Sequence, residues 1–361
     1  MKPNLFIFAI VFILQISCSE KTNKPKCDIY QTNIDLNNEL FTHSLSDAKY
    51  DYLFGSLEKD LLDYRTNEII IERSNVENKK VWTSFSKKIP GSCEAVCQTK
   101  EYIYLISSQQ YQKPQDINYT KHKLYKISKE NGSIDELYEW KMGASFVKDI
   151  FFESDKKGYV FFDPSMNSLY QILRTFDGGK TWDIRDLKRP VVTTKFDKNK
   201  IYFLSYKNNN TNSWIYSIDK NNNIIDSLQF DLNISDFAIG KNRSYWLLGK
   251  AGEKTVLQYY ENGKSINIKS LSVDEHFIPK LLYKYQDIIV VIGSKIDENL
   301  LWGFGGTKSL MYVSKDNGLT WSETKLDKAF YLKPVSFYKD ERLFGYIGLG
   351  GVLRCNFKKN N

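Results

Sequence analysis

The chain is 361 residues long, 15% aromatic and 26% charged, with a formal net charge of +8 and a mean hydropathy of −0.45. Such aromatic content excludes a disordered chain, and a single short apolar run excludes a polytopic membrane protein. Only seven alanines, beside abundant Tyr, Phe, Ile and Asn, argue against helices and for many short strands, and at about 150 residues per domain the length asks for two domains or one domain of repeated units.

The N-terminus reads as an address. Leu5 to Ser17 is thirteen residues of almost unbroken apolar character behind Lys2, too short to span a bilayer and shaped like the core of a secretory signal. Small Ser17 and then Cys18 follow. This junction resembles a bacterial lipobox, although Leu14 stands four places before the cysteine instead of three. The resemblance implies a signal peptide over 1–17, lipidation of Cys18 as the mature N-terminus and, from Ser19, an outer-membrane destination. Residues 18–26 read as a polar tether. Loss of Lys2 leaves the mature chain at +7, with lysines scattered among Asp, Glu and Asn, so a solvated surface is expected and no nucleic-acid partner.

Beyond the tether the sequence repeats. Aromatic strands recur as YDYLF at 50–54, YIYLI at 102–106, GYVFF at 158–162, IYFLS at 201–205, SYWLLG at 244–249, LLWGFG at 300–305 and FGYIGLG at 344–350. A second type of strand recurs in step, ending at 74, 128, 175, 217, 259, 314 and 355 with a mean step of about 47 residues, which falls in the range of propeller blades. The spacing predicts seven units, with six as the alternative count.

Two units end in sibling segments, LYQILRTFDGGKTWD at 169–183 and LMYVSKDNGLTWSE at 310–323. Thr175, Asp177, Gly179, Thr181 and Trp182 fill the pattern once, and Ser314, Asp316, Gly318, Thr320 and Trp321 fill it again. In a hairpin turn the aspartate accepts hydrogen bonds from backbone N–H groups, the glycine supplies a positive φ, and the tryptophan packs beside the turn. Those roles are structural, so neither aspartate is read as a catalytic acid. The pattern resembles the Asp-box, or BNR, repeat. With GYVFF before ILRTFDGGKTW, and GYIGLGGVLRC, the chain is similar to noncatalytic Asp-box propellers of the photosystem II assembly-factor type. That resemblance implies an all-β propeller, filling 27–361 as one domain, that binds another protein or a polymer at the cell envelope.

The last unit has no room for its outer strand, and DIYQTNIDL at 28–36 belongs to no other unit, so the two chain ends are expected to share one blade. Cys355 then lies beside Cys27, as a disulfide locking the ring or as two free thiols. Cys93 and Cys97 are expected as a second disulfide or as two buried thiols. Residues four apart on a straight strand are about 13 Å apart, so a bond there needs a turn. With no nearby histidine the spacing is a poor zinc signal, and no metal or cofactor is expected.

Three stretches depart from the repeat. Ser56 to Tyr64 reads as a short helix, Ser272 to Glu275 as a capping box, and Ser107 to His122 as a loop insertion. Turns between third and fourth strands share a face with those between first and second strands. The remaining connections form the opposite face, where Arg65, Tyr111, Tyr119, Asp163, Arg189, Glu275 and His276 make the candidate ligand surface.

Catalytic chemistry finds little footing. Sialidases share the box, but the eight arginines here include no Arg-Ile-Pro; the nearest string is Phe277-Ile278-Pro279. Without converging guanidinium groups, recognition of a substrate carboxylate in that manner is lost. His43, His122 and His276 are isolated, so no Ser-His-Asp arrangement is supported, and Gly303-Phe304-Gly305-Gly306 does not open a helix as a phosphate loop does. No catalytic residue is assigned. The expectation is a monomeric, noncatalytic module for a protein or polysaccharide partner, held to the membrane by an N-terminal lipid. A divergent glycan hydrolase or lyase, and an immunity lipoprotein that plugs a secreted toxin, are the competing readings.

Overall fold

Runs of β-branched and aromatic residues, cut every few positions by Gly, Asn and Asp, fold as strands because alternating side chains then bury against neighbours on both faces. The computed structural model describes residues 26–31, 39–57, 67–78, 81–113, 116–142, 145–164, 170–187, 189–197, 200–206, 212–219, 226–240, 244–252, 254–261, 263–266, 277–296, 307–325, 335–338, 342–346 and 351–357. Among the described residues the strands form seven antiparallel sheets.

In chain order β1 (Lys26–Gln31) comes first. The first sheet holds β2 (Glu39–Ser46), β3 (Tyr50–Leu57), β4 (Glu68–Asn75) and β5 (Thr83–Ser84), with β6 (Ile89–Pro90) also on β4. The second holds β7 (Ser92–Gln98), β8 (Tyr102–Lys113), β9 (Asp116–Ser128) and β10 (Ile134–Met142). The third holds β11 (Ser145–Phe152), β12 (Gly158–Pro164), β13 (Tyr170–Thr175) and β14 (Asp183–Leu187). The fourth holds β15 (Thr193–Phe196), β16 (Lys200–Tyr206), β17 (Ser213–Asp219) and β18 (Asp226–Phe230). The fifth holds β19 (Asn233–Ile239), β20 (Tyr245–Ala251), β21 (Lys254–Glu261) and β22 (Lys264–Ile266). The sixth holds β23 (Phe277–Tyr285), β24 (Ile288–Ile296), β25 (Thr307–Ser314) and β26 (Ser322–Lys325). The seventh holds β27 (Val335–Tyr338), β28 (Arg342–Tyr346), β29 (Gly351–Asn356) and, on its outer edge, β1.

The sheets succeed one another as an all-β propeller. Opening strands of neighbours touch: β2 meets both β27 and β7, β7 meets β11, β11 meets β15, β15 meets β19 and β19 meets β23. An apolar cluster fills each seam. Tyr159, Phe161, Ile201 and Phe203 pack between the third and fourth sheets, and Phe41, Leu53, Phe344 and Val352 between the first and seventh. No sheet covers its own faces, so each depends on the two beside it.

The seventh sheet joins the chain ends. β1 pairs with β29, placing Cys27 opposite Cys355, and the two form a disulfide. Behind it Asp51, 0% exposed, accepts an ion pair from Arg354 at 2.6 Å and one from Arg342 at 3.5 Å. Arg342 also donates to Ser46 Oγ and to the Asp47 carbonyl. Two cations of the last sheet thus clasp an anion of the first.

At the turn after β13, Asp177 Oδ1 accepts from the N–H groups of Lys180 and Thr181, and Oδ2 from the Thr181 hydroxyl. Thr175 Oγ1 accepts from the Gly179 N–H, and Trp182 Nε1 donates to the Gly179 carbonyl. Gly179 has φ of 94°, which only glycine adopts without strain. The turn after β25 repeats this with Asp316, Ser314, Thr320, Trp321 and Gly318. Each turn is bonded to the first hairpin of its own sheet, Gly178 N–H to the Lys156 carbonyl and Asn317 N–H to that of Asp287. Both turn types therefore share one face, called the box face here.

Several expectations need correction. Ser107 to His122 is not a loop: β8 and β9 stay paired as far as Lys113 and Asp116. The second strand of the sixth sheet is β24, whose Ile289 pairs with Ser314; residues 300–305, chosen for their aromatics, lie outside the described residues. The β-branched run IIVVI wins because such side chains suit a strand buried on both faces. Cys93 and Cys97 are free thiols; both lie on the continuous strand β7, where their spacing keeps the sulfurs apart. Ser56 belongs to β3 rather than to a helix. Residues 58–66 and 272–275, with the signal and Cys18, lie outside the described residues.

Two outcomes follow. Cys355→Ser is expected to lower unfolding stability by about 3 to 5 kcal/mol in denaturant melts, and reductant should lower the parent chain similarly while leaving the variant unchanged. The Thr181 hydroxyl and N–H hold the Asp177 carboxyl down to about 2. Its contribution is then present above the unfolded value near ~3.9 and lost as pH falls through about 2. The stability difference between the parent and Asp177→Asn should accordingly be full at neutral pH and close on acidification.

Candidate functional site

Five opening strands carry one extra residue each, at Thr42, Glu94, Lys148, Ser235 and Lys280. A bulge of this kind re-aims the side chains around it, and here they reach the next sheet. His43 hydrogen-bonds the Glu94 backbone. Glu94 Oε2 accepts from the Val147 N–H at 2.8 Å, and Asp149 is bonded to the Thr194 hydroxyl. Lys195 Nζ lies 2.9 Å from Asp236 Oδ1, and Asp236 Oδ2 accepts from the Leu282 N–H at 2.8 Å. These contacts link the first sheet to the sixth in one sequence around the centre. Burial pushes the Glu94 and Asp149 carboxyls up and the His43 imidazole down to about 4. Each of the three inner carboxylates thus contacts the sheet that follows its own. Among the described residues no group of three His, Cys, Asp or Glu could hold a metal ion.

Four residues of the predicted surface, Tyr111, Tyr119, Asp163 and Arg189, lie on the second and third sheets and the connection after the third. Tyr111 and Tyr119 are cross-strand partners near the tip of the β8–β9 hairpin. β8 runs twelve residues against seven for β12, about 16 Å more of strand. In the adjacent third sheet Asp163 pairs with Phe146, which is 55% exposed, and hydrogen-bonds Tyr170. Arg189, in the next connection, lays its guanidinium 5.7 Å from the Trp214 ring and 5.6 Å from that of Tyr216. Arg65, Glu275 and His276 lie outside the described residues.

The box face holds a cavity of about 820 Å³ that the sequence reading did not place. Its walls come from the fourth, fifth and sixth sheets: Phe196, Trp246, Tyr259 and Tyr285 with Asp197, Asp287 and Lys284. Trp246 and Tyr259 lie 5.0 Å apart at 45°, and Lys284 Nζ is 5.8 Å from the Trp246 ring. Gln286 and Asn317, with φ of 48° and 55°, are the two non-glycine residues of positive φ among those described, and both line this cavity. Asn317 stands where the sibling turn has Gly178, and its amide donates to Asp287 Oδ1 at 2.8 Å. The sequence signal was that departure, an asparagine in place of a glycine.

No protein-family model matches the sequence, and no curated protein does. Solved structures match in fold. The chain is similar to YCF48 from Cyanidioschyzon merolae (TM-score 0.60, 11% identity, 91% of this chain and 98% of that one). It is also similar to YCF48 bound to D1 peptide (0.57, 11%, 91% and 96%). A third likeness is to an ulvan lyase of a polysaccharide lyase family bound to -[GlcA(1-4)Rha3S]- (0.57, 11%, 92% and 96%). At these identities the likeness shows the propeller fold, which binding proteins and enzymes share.

The inner contacts predict an acid response. His43, lowered to about 4, contributes stability that is present above the unfolded value of ~6.5 and lost as pH falls through about 4. Glu94 and Asp149, raised by burial, have the opposite sign: their contributions are present at low pH and decline as pH rises. His43→Asn should therefore lose less stability than the parent between neutrality and pH ~4 in melts followed by circular dichroism.

Proposed function

We propose that this chain is an envelope-tethered, noncatalytic binding propeller. In this reading residues 1–17 are a signal peptide, Cys18 carries the lipid, and 27–361 form one ring whose blades are the seven sheets, with Asp-box turns on one face. The partner is a protein. It docks on the opposite face, across the second, third and fourth sheets. The observation that carries the reading is the β8–β9 hairpin, whose β8 is paired over twelve residues where β12, β16 and β20 run seven. Beside it lie exposed Phe146 and the Arg189–Trp214 pair, the mixture of apolar and cationic groups typical of anchor residues in protein interfaces. YCF48 bound to D1 peptide offers a propeller of similar fold with a polypeptide ligand. Catalysis is left out because Glu94, Asp149 and Asp236 hold neighbouring sheets together.

The test is a pull-down from envelope extracts with the mature chain as bait. A protein retained by the parent and lost when residues 109–121 are replaced by a two-residue turn is the expected result. Retention of lipid and glycan alone, or a protein retained equally by the shortened variant, overturns the assignment.

A further inference from the structure

The chain enters the ring at the box face. Lys26, the first residue of β1, stands opposite Asn356, at the end of β29 that corresponds to the ends of β13 and β25, where the box turns begin. Whatever precedes Lys26 therefore leaves from this face, between the sixth and first sheets, against which the seventh packs. Eight peptide units separate Cys18 from Lys26, a reach of at most about 29 Å. A strand of seven residues such as β12 is already about 23 Å long.

Three exposed apolar side chains stand in connections between third and fourth strands on this face: Val81 (50% exposed) in the first sheet, Phe176 (54%) in the third and Leu319 (69%) in the sixth. The box turns do not need them. Those turns are held by Thr175, Asp177, Thr181 and Trp182 and by Ser314, Asp316, Thr320 and Trp321, a bonding scheme that a hydrocarbon side chain at 176 or 319 cannot join. The siblings also interchange their contents: Phe176 and Lys180 in one turn stand where Lys315 and Leu319 stand in the other. Each tip thus carries one hydrocarbon and one ammonium. Val81 and Leu319 belong to the two sheets that flank the point of entry, and Phe176 lies across the ring from it.

We propose that the box face rests on the phospholipid bilayer to which the chain is tethered, with Val81, Phe176 and Leu319 entering the headgroup layer. The proposal rests on the Cys18 anchor of the reading above and adds an orientation to it. A hydrocarbon beside an ammonium suits this interface, since the first sinks toward the acyl chains while the second stays at phosphate level. Exposed apolar residues scattered singly need no explanation. At turn tips on the tethered face, however, they meet lipid at an effective concentration on the order of millimolar, so weak contacts suffice. Charge is not the attraction: Glu77, Glu101 and Glu130 are exposed in turns of the same face beside Lys100 and Lys180, so the occupant is zwitterionic phospholipid and anionic lipid is not required. β8 starts on this face at Tyr102 and is paired as far as Lys113. Its twelve residues, about 40 Å, exceed the reach of the tether, which holds the hairpin end away from the bilayer and open to a partner.

The test holds the mature chain, with a polyhistidine segment in place of Cys18, on vesicles of phosphatidylcholine and phosphatidylethanolamine through a nickel-chelating lipid. The surface is thereby tested whether or not the cell lipidates the chain, and the mass of the Cys18 peptide from envelope-derived protein tests the anchor separately, so failure of one is told from failure of the other. A fluorophore at Glu130→Cys, on the box face, is expected to be quenched by lipid spin-labelled at the headgroup, and one at Tyr119→Cys, on the hairpin, is not. Phe176→Ser combined with Leu319→Ser should lose the quenching at 130 with an unchanged melting temperature, because both side chains are exposed. Adding phosphatidylglycerol should leave the quenching as it was. Quenching at 119, quenching at neither position, quenching that persists in the double variant, or quenching only with phosphatidylglycerol overturns the proposal. So does a box face covered by a second copy, read as a dimer in sedimentation without vesicles that the double variant dissociates.

Discussion

Closure of the ring is the constraint on which everything else rests. A sheet of three strands at the end of the chain would leave β29 as an open edge, a template for unwanted pairing, and would leave the first and seventh sheets without a common seam. β1 completes that edge, and the Cys27–Cys355 bond makes the completion covalent. Cys355 occupies the register position that Thr175 and Ser314 hold in sheets ending in a box turn: each is opposite the corresponding residue of its second strand. Where those sheets use a hydroxyl to cap a turn, the seventh has a thiol that bonds Cys27 of β1. The buried Asp51 with Arg342 and Arg354 adds specificity to this. A buried ion pair contributes little net stability against apolar packing, but a carboxylate left without its cations is costly. The first sheet is therefore satisfied only by the seventh.

A closed ring in turn allows each inner strand to lean on the next. The bulges at Glu94, Lys148 and Ser235 bring carboxylates within reach of the following sheet, and the resulting contacts run in one direction around the centre. Such contacts are strong because they are shielded from water, and they are exposed to pH for the same reason. Glu94, Asp149 and Asp236 are in this way tied to the sheets that follow them.

Much of this architecture was legible in the sequence. The ends of the third strands, from Ser74 to Cys355, fell in register because the pattern rests on turn chemistry, which is local: a hydroxyl, an aspartate and a glycine at fixed offsets make the same turn wherever they occur. The chain-end pairing followed from counting strands. The errors share a physical cause. The aromatic rule that located β3, β8, β12, β16 and β20 failed at β24, where Ile288 to Ile292 serve the same core without an aromatic ring. The β8–β9 extension was hidden because a hairpin that leaves the core no longer needs an apolar period. The cavity was hidden for another reason: a void is a property of two sheets at once, and no single segment records it.

Register also shows where the units stop being alike. The position of Phe152 is Ser46, Lys195, Ala238 and Lys284 in other sheets, while that of Tyr104 is Leu53, Val160, Leu204, Leu248 and Val291. The Tyr104–Phe152 stack is therefore particular to one seam, and aliphatic side chains on the second strands are what the seams share. A strand buried on both faces needs apolar bulk at its middle, and the position at the end of the opening strand is released from that demand, so the repeat is strict where seams pack and loose where turns begin.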